Sequence, residues 1–139
     1  GFDFLRLRAD VNEIDENIDV IDQQKSQKLF LRISKAFKQQ QQQAEIFRKH
    51  KMECTYPIII CGDMNNSAFS YVYRSIKGNM KDTFEEAGSG FGATYKFRYY
   101  PARIDYIFAD EKMTVKNFES FPDFVNSDHF PVLARLSYE

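Results

Sequence analysis

The stretch Ile58-Ile59-Ile60-Cys61-Gly62-Asp63-Met64-Asn65-Asn66 decides the fold. Four apolar residues in succession, with no polar alternation, predict a strand buried on both faces. Gly62 then lets the backbone turn tightly. A carboxylate at the carboxyl end of a buried α/β strand lies where such sheets open their ligand crevices, which makes Asp63 the first residue to follow. Upstream, Leu29, Ile33, Phe37, Ala44 and Phe47 fall at spacings of 4, 4, 7 and 3 between Ser26 and His50, one stripe of a long helix. The glutamines at 39–43 keep the phase of that stripe, and glutamine is a good helix former. Downstream, Ser67 as N-cap, the apolar residues Ala68, Phe69, Val72, Tyr73 and Ile76, and Gly78 beyond them predict a second helix. Residues 103–108 alternate polar and apolar, 109–112 read as a turn and 114–121 alternate again, which predicts a hairpin. Residues 132–138 form the last predicted strand. Strand, helix and then several strands give an α/β fold in a single domain over 1–139, with 1–25 as an acidic lead-in. Within the lead-in, Val11, Ile14, Ile18 and Ile21 keep helical spacing among many Asp and Asn, so a short helix and an ordered loop fit equally.

The 139 residues carry 19 Lys+Arg against 20 Asp+Glu, and 43% are hydrophobic, with 14 Phe and 8 Tyr. That composition excludes disordered, collagen-like and low-complexity chains. No apolar run approaches the roughly 20 residues of a membrane span, so no membrane contact is expected of this segment. The N-terminus has neither the basic flank nor the cleavage site of a secretion signal, and reads as a chain cut open. Two cysteines cannot build a disulfide scaffold; Cys61, inside the apolar run, is expected in the core. Charge is uneven: residues 1–24 hold seven acids and two Arg, residues 25–51 eight Lys/Arg and one acid. The basic helix at 25–51 keeps nucleic-acid binding open, although a net charge of −1 argues against strong non-specific DNA binding.

Three motifs carry candidate chemistry. In the first, Asp63 and Asn65 pair a negative acceptor with a neutral donor, suited to orienting a water and a phosphoryl oxygen; as a plain turn, Asp63 would cap and Asn65 would make an Asx turn. In the second, Arg103-Ile104-Asp105-Tyr106-Ile107, Asp105 shares a strand face with Arg103 and Ile107. An inward carboxylate there needs a partner, and an ion pair with Arg103 or a lysine would supply one. In the third, Ser127-Asp128-His129-Phe130-Pro131, an acid and an imidazole adjoin before the last strand. Such a pair can ligate a hard cation and donate to phosphate, or can simply be a solvated loop. His50 follows the cationic end of a helix and reads as a surface histidine favoured by the dipole.

The order Gly-Asp-x-Asn after an apolar strand, Arg-Ile-Asp-Tyr-Ile 42 residues later and Ser-Asp-His-x-Pro-Val 23 residues further on closely resembles the C-terminal half of the endonuclease/exonuclease/phosphatase superfamily. These are the phosphodiesterases and phosphatases related to deoxyribonuclease I and exonuclease III. The resemblance runs from about residue 26 to the end. It implies half of a four-layer α/β sandwich, a mixed sheet with helices on one face. It implies catalytic roles for Asp63, Asn65, Asp105 and His129. Asp63 would orient or deprotonate the attacking water, and Asn65 would bind phosphoryl oxygens. Asp105 would hold an active-site histidine in its tautomer, Asp128 would sit at or near the metal, and His129 would contact the scissile phosphate. The implied cofactor is Mg²⁺ or Mn²⁺, weakly bound or absent in this segment, and the implied reaction is in-line attack of water on phosphorus. No nucleophilic side chain is required, so Ser67 reads as a helix cap.

Family members also carry a first half with an Asn, a metal-binding Glu and a further His, and none has a place here: Glu13 and Glu16 lie in an acidic segment without an apolar strand. The segment alone is therefore expected to be inactive. A sheet without its partner layer exposes a broad apolar face, so a homodimer or an exchange of elements between chains is expected. The substrate is a phosphoester, whether nucleic acid, phospholipid or small molecule. The aromatic loop 88–100 is the expected substrate-facing element. Against this stands a non-catalytic interaction domain that has kept the fold.

Overall fold

The computed structural model describes residues 23–138, so the helix or loop expected around Val11 to Ile21, and Glu13 and Glu16 with it, lies outside the described residues. The chain divides into two compact units, Gly1–Gln43 and Ala44–Glu139. Helix α1 (Gln23–Glu53) supplies the described part of the first unit and the start of the second. It is the long helix that the periodicity predicts, running unbroken through the glutamines. Ala36 and Ala44 are buried along it, whereas Phe37 and Phe47, expected on the same stripe, are exposed.

The second unit contains β1 (Ile59–Asp63), α2 (Tyr71–Lys77), β2 (Lys81–Asp82), α3 (Thr83–Ala87), β3 (Asp105–Ala109), β4 (Met113–Ser120) and β5 (Val132–Tyr138). The α/β expectation holds, and the sheet expected to be mixed takes the form of two antiparallel sheets among the described residues, β1-β3-β2 and β4-β5. The predicted hairpin of 103–108 with 114–121 does not form. Both edges of β3 are taken, by β1 on one side and β2 on the other, so β4 has no free edge of β3 to join and pairs with β5.

The core shows how β1 differs from a doubly buried strand. Tyr73, Met80, Tyr106 and Phe108 form a buried aromatic cluster, with Ile58, Ile60, Met64, Ala68 and Ile76 packed on it. Their rings meet edge-on or tilted at 5.0 and 5.4 Å, and Tyr106 stacks on Phe108 at 5.5 Å. Only one face of β1 meets this cluster. On the other face Ile59 is 49% exposed, and Cys61 is exposed rather than in the core, because no described layer covers that side. The second helix is capped by Ser70, not Ser67: the Ser70 Oγ accepts the Tyr73 N–H at 3.0 Å, while Ser67 closes a preceding turn by accepting the Ser70 N–H. Gly78 ends α2 as expected, at φ +52°, and Lys51 Nζ donates to the last carbonyls, those of Ile76 (2.7 Å) and Lys77 (3.1 Å).

Asp82, 1% exposed, anchors the sheet's polar interior. It accepts from the Tyr73 hydroxyl (2.8 Å), the Phe84 N–H (3.0 Å) and the Arg103 guanidinium (2.6 Å), and Arg103 is sandwiched between the Phe84 and Tyr106 rings at 4.6 and 4.8 Å. Removing one partner of a buried ion pair leaves the other charge uncompensated. Arg103→Leu is therefore expected to cost about 3–5 kcal/mol in urea unfolding, and the double variant Asp82→Leu, Arg103→Leu less than the sum of the two single changes. Additive losses would contradict the pairing.

Candidate active site

Asp63 ends β1 and Asp105 begins β3, and the antiparallel register makes them Cα partners. Paired positions across such a ladder put both side chains on one face, about 5 Å apart at Cβ. That face is the open one, which Ile59 and Cys61 share by the two-residue period of the strand. The Met64 N–H, donated to the Ile104 carbonyl at 2.8 Å, carries the pairing one step past Asp63 and holds the two carboxylates in register.

His129 arrives from the segment before β5. Its N–H donates to the Ser127 Oγ (3.0 Å), and its neighbours are tied to loop residues: Lys96 N–H to the Asp128 carbonyl at 2.7 Å, Phe130 N–H to the Thr94 carbonyl at 2.8 Å. The Tyr95 ring meets the imidazole edge-on at 4.9 Å. So held, His129 Nδ1 lies 2.9 Å from Asp105 Oδ2 and Nε2 lies 3.9 Å from Asp63 Oδ2, and the imidazole stands between the two carboxylates. An Nδ1–H donated to Asp105 leaves Nε2 turned toward Asp63. Arg103, one of the alternative partners for Asp105, is engaged with Asp82 instead.

Asp63 uses its two oxygens differently. Oδ1 accepts the Asn65 N–H at 2.8 Å, an Asx turn that puts Asn65 at φ +48°, a left-handed conformation that asparagine tolerates well. Oδ2 faces His129. The turn and the site are thus both present, on separate atoms of one carboxylate. Partial burial raises the Asp63 pKa above the ordinary carboxylate range; the negative charges of Asp105 and Asp128 add to the rise, while the Asn65 N–H and His129 oppose it. A carboxylate made more basic in this way is a better proton acceptor than a solvated one.

Asp63, Asp105 and His129 bring one ligand atom each within 4.8 Å of one another, a donor set of two carboxylates and an imidazole that suits a hard or borderline divalent cation. Asn65 sits two residues beyond Asp63 on the same turn. Asp128 is exposed; its charge reaches Asp63, but its carboxylate is not one of the three convergent groups. His50 lies exposed in the last turn of α1, as expected. Sequence reading missed Tyr95, whose ring packs on His129, and Tyr106, whose hydroxyl lies 2.8 Å from the carbonyls of both Asn66 and Arg103. Tyr106 stood inside the second motif without a role, and nothing in the spacing of the chain's frequent aromatic residues singled out Tyr95.

Beyond His129, bridges of Tyr95 with Ala102 and with His129 close residues 96–101 into a loop beside the site. Phe97 packs there on Tyr99 (5.5 Å) and Tyr100 (4.8 Å).

Comparison with known proteins bears on the family and the fold. Among solved structures, the chain is similar to an endonuclease/exonuclease/phosphatase family protein from Bacteroides vulgatus (30% identity, TM-score 0.60, covering 72% of this chain and 44% of that one). It is also similar to a family protein from Bacteroides thetaiotaomicron (23%, TM-score 0.61, 74% and 45%) and to a mannosyl-6-phosphatase of the same organism (23%, TM-score 0.55, 68% and 44%). It spans less than half the length of each. No curated protein matches the chain. The sequence matches the Endonuclease/Exonuclease/phosphatase family over residues 32–129, a stretch that holds the first two motifs and the third as far as His129, and the chain belongs to that family.

Proposed function

We propose that this segment carries part of the active site of a divalent-metal-dependent phosphoester hydrolase, with Mg²⁺ or Mn²⁺ as the ion. The observation that carries the reading is His129 set between Asp63 and Asp105 at 3.9 and 2.9 Å. Asp63, its basicity raised, orients the attacking water and takes up its proton. Asp105 orients the His129 ring by accepting its Nδ1–H, so that Nε2, when it also carries a proton, donates to the phosphoryl group. Asn65 donates its amide to phosphoryl oxygens as charge builds on them. Asp63 and Asp105 offer the hard oxygens that would hold the ion, with the charge of Asp128 close enough to act on Asp63, and the ion when bound would neutralise charge on the phosphate. The aromatic loop 96–101 beside His129 faces the substrate. Because the chain spans less than half of its solved relatives, catalysis is proposed for the full-length protein and not for this segment alone.

In the full-length protein, Mg²⁺-dependent hydrolysis of a generic phosphodiester is expected to fall by about 100-fold or more in Asp63→Asn and in His129→Ala, since each loses a positioned proton-transfer or electrostatic group. Turnover unchanged in both would favour a non-catalytic interaction domain.

A stability measurement on the segment itself tests the basicity of Asp63. A folded-state pKa above the unfolded one favours the neutral carboxyl in the fold. Its stabilisation is complete below the ordinary carboxylate range and is lost as pH rises through the raised value. Asp63→Asn keeps an oxygen for the Asn65 N–H and removes the charge. In chelator at pH 7 it is expected to raise Tm by no more than about 3 °C, a gain limited by solvent exposure and absent near pH 3. A lower Tm at pH 7 would contradict the raised pKa.

The open face of β1, with Ile59 49% exposed and Cys61 beside it, favours a second copy of the chain as its cover. Light scattering is expected to give the mass of a dimer, and a well-behaved monomer would overturn this.

A further inference from the structure

Thr94 is fully buried, yet it is polar and lies in neither a helix nor a strand. Its Oγ1 accepts the N–H groups of both Ile104 and Asp105, each at 3.0 Å. Its own N–H donates to the Ala102 carbonyl at 2.9 Å, and its carbonyl accepts the Phe130 N–H at 2.8 Å. One residue is thereby joined to the two segments that supply the imidazole–carboxylate pair: to Asp105 through that residue's own N–H, and to His129 through the next residue's. Successive N–H groups of a regular strand point to opposite edges, so two of them converging on one oxygen means that the backbone bends as β3 begins. The bend falls at the residue whose carboxylate must meet His129, and a hydroxyl has two lone pairs with which to hold it.

We propose that Thr94 is a positioning residue that sets the Asp105–His129 hydrogen bond, with its Oγ1 as the operative atom. The proposal rests on the hydrolase reading for its consequence in catalysis, but not for the geometry it asserts. Thr94→Val keeps the shape and leaves two buried N–H groups without their acceptor; Thr94→Ser keeps the oxygen and drops only the methyl group.

The chain has two histidines, His50 and His129, so ¹⁵N-histidine spectra assigned with His50→Gln report the His129 tautomer directly. Without metal, the parent segment and Thr94→Ser are expected to show His129 as the Nδ1–H form with a downfield, exchange-protected proton. Thr94→Val is expected to lose that proton and populate both tautomers. In the full-length protein kcat is expected to drop about 10- to 100-fold in the Val variant with KM within about twofold, and to recover in the Ser variant. A folded Val variant that keeps the parent His129 signature overturns the proposal. Should Val not fold, the Ser variant decides it: a folded Thr94→Ser chain without the Nδ1–H signature would show that the methyl group's packing, not the oxygen, is what matters. A full-length protein without turnover would refute the hydrolase reading, while the tautomer measurement would still stand as the test of positioning.

Discussion

Two carboxylates at directly opposed positions of one ladder, on one face, repel each other. That is the constraint around which the site is built, because the antiparallel register of β1 and β3 leaves Asp63 and Asp105 no other arrangement. An imidazole stands between them, Nδ1 within hydrogen-bond reach of Asp105 and Nε2 turned toward Asp63. The 23 residues between Asp105 and His129 return that ring to the end of the sheet. The chain leaves β3, makes β4 and turns back before β5, and the approach is pinned by backbone bonds from Lys96 and Phe130.

Strand β3 is where core and site meet. By its two-residue period Tyr106 and Phe108 enter the aromatic cluster while Asp105 and Ile107 take the opposite face. Tyr106 also leaves the core at its tip, where the hydroxyl reaches the carbonyls of Asn66 and Arg103. The turn that carries Asn65 is in this way fastened to the start of the strand that carries Asp105. Arg103, held between two rings and paired with Asp82, fixes the same strand from the other direction. The site is therefore fastened to the buried aromatic cluster of the unit.

What was legible in the sequence was local or motif-bound. The long helix, β1, Gly78 as a cap and the last strand follow from short-range pattern, and the convergence of Asp63, Asp105 and His129 was expected only from the family resemblance that the ordered motifs carry. What was not legible was long-range choice. Ile58 to Cys61 carries no polar residue to mark an exposed face, so the pattern reads as buried twice over when only one side is covered. Alternation at 103–108 and 114–121 is correct for two strands but silent on partners, and the occupancy of both β3 edges decided against the hairpin. Ser67 and Ser70 are equally good caps by type, and only the turn between them selects the second. Thr94 lies 10 and 11 residues from the N–H groups it accepts, with no periodicity to announce it.

The openness of one sheet face and the basicity of Asp63 are consequences of the same geometry. Ile59, Cys61 and Asp63 alternate along one side of β1, with about 6.6 Å between successive members. Any surface that covers the two apolar positions also approaches the carboxylate and removes water from it. Desolvation already dominates the upward shift of Asp63, and further cover would strengthen it unless a positive charge came with the covering surface. A divalent ion is such a charge, and it would act in the opposite direction, favouring the ionised form. With an ion bound, base strength at Asp63 would be set by a balance between apolar cover and cationic charge on one face.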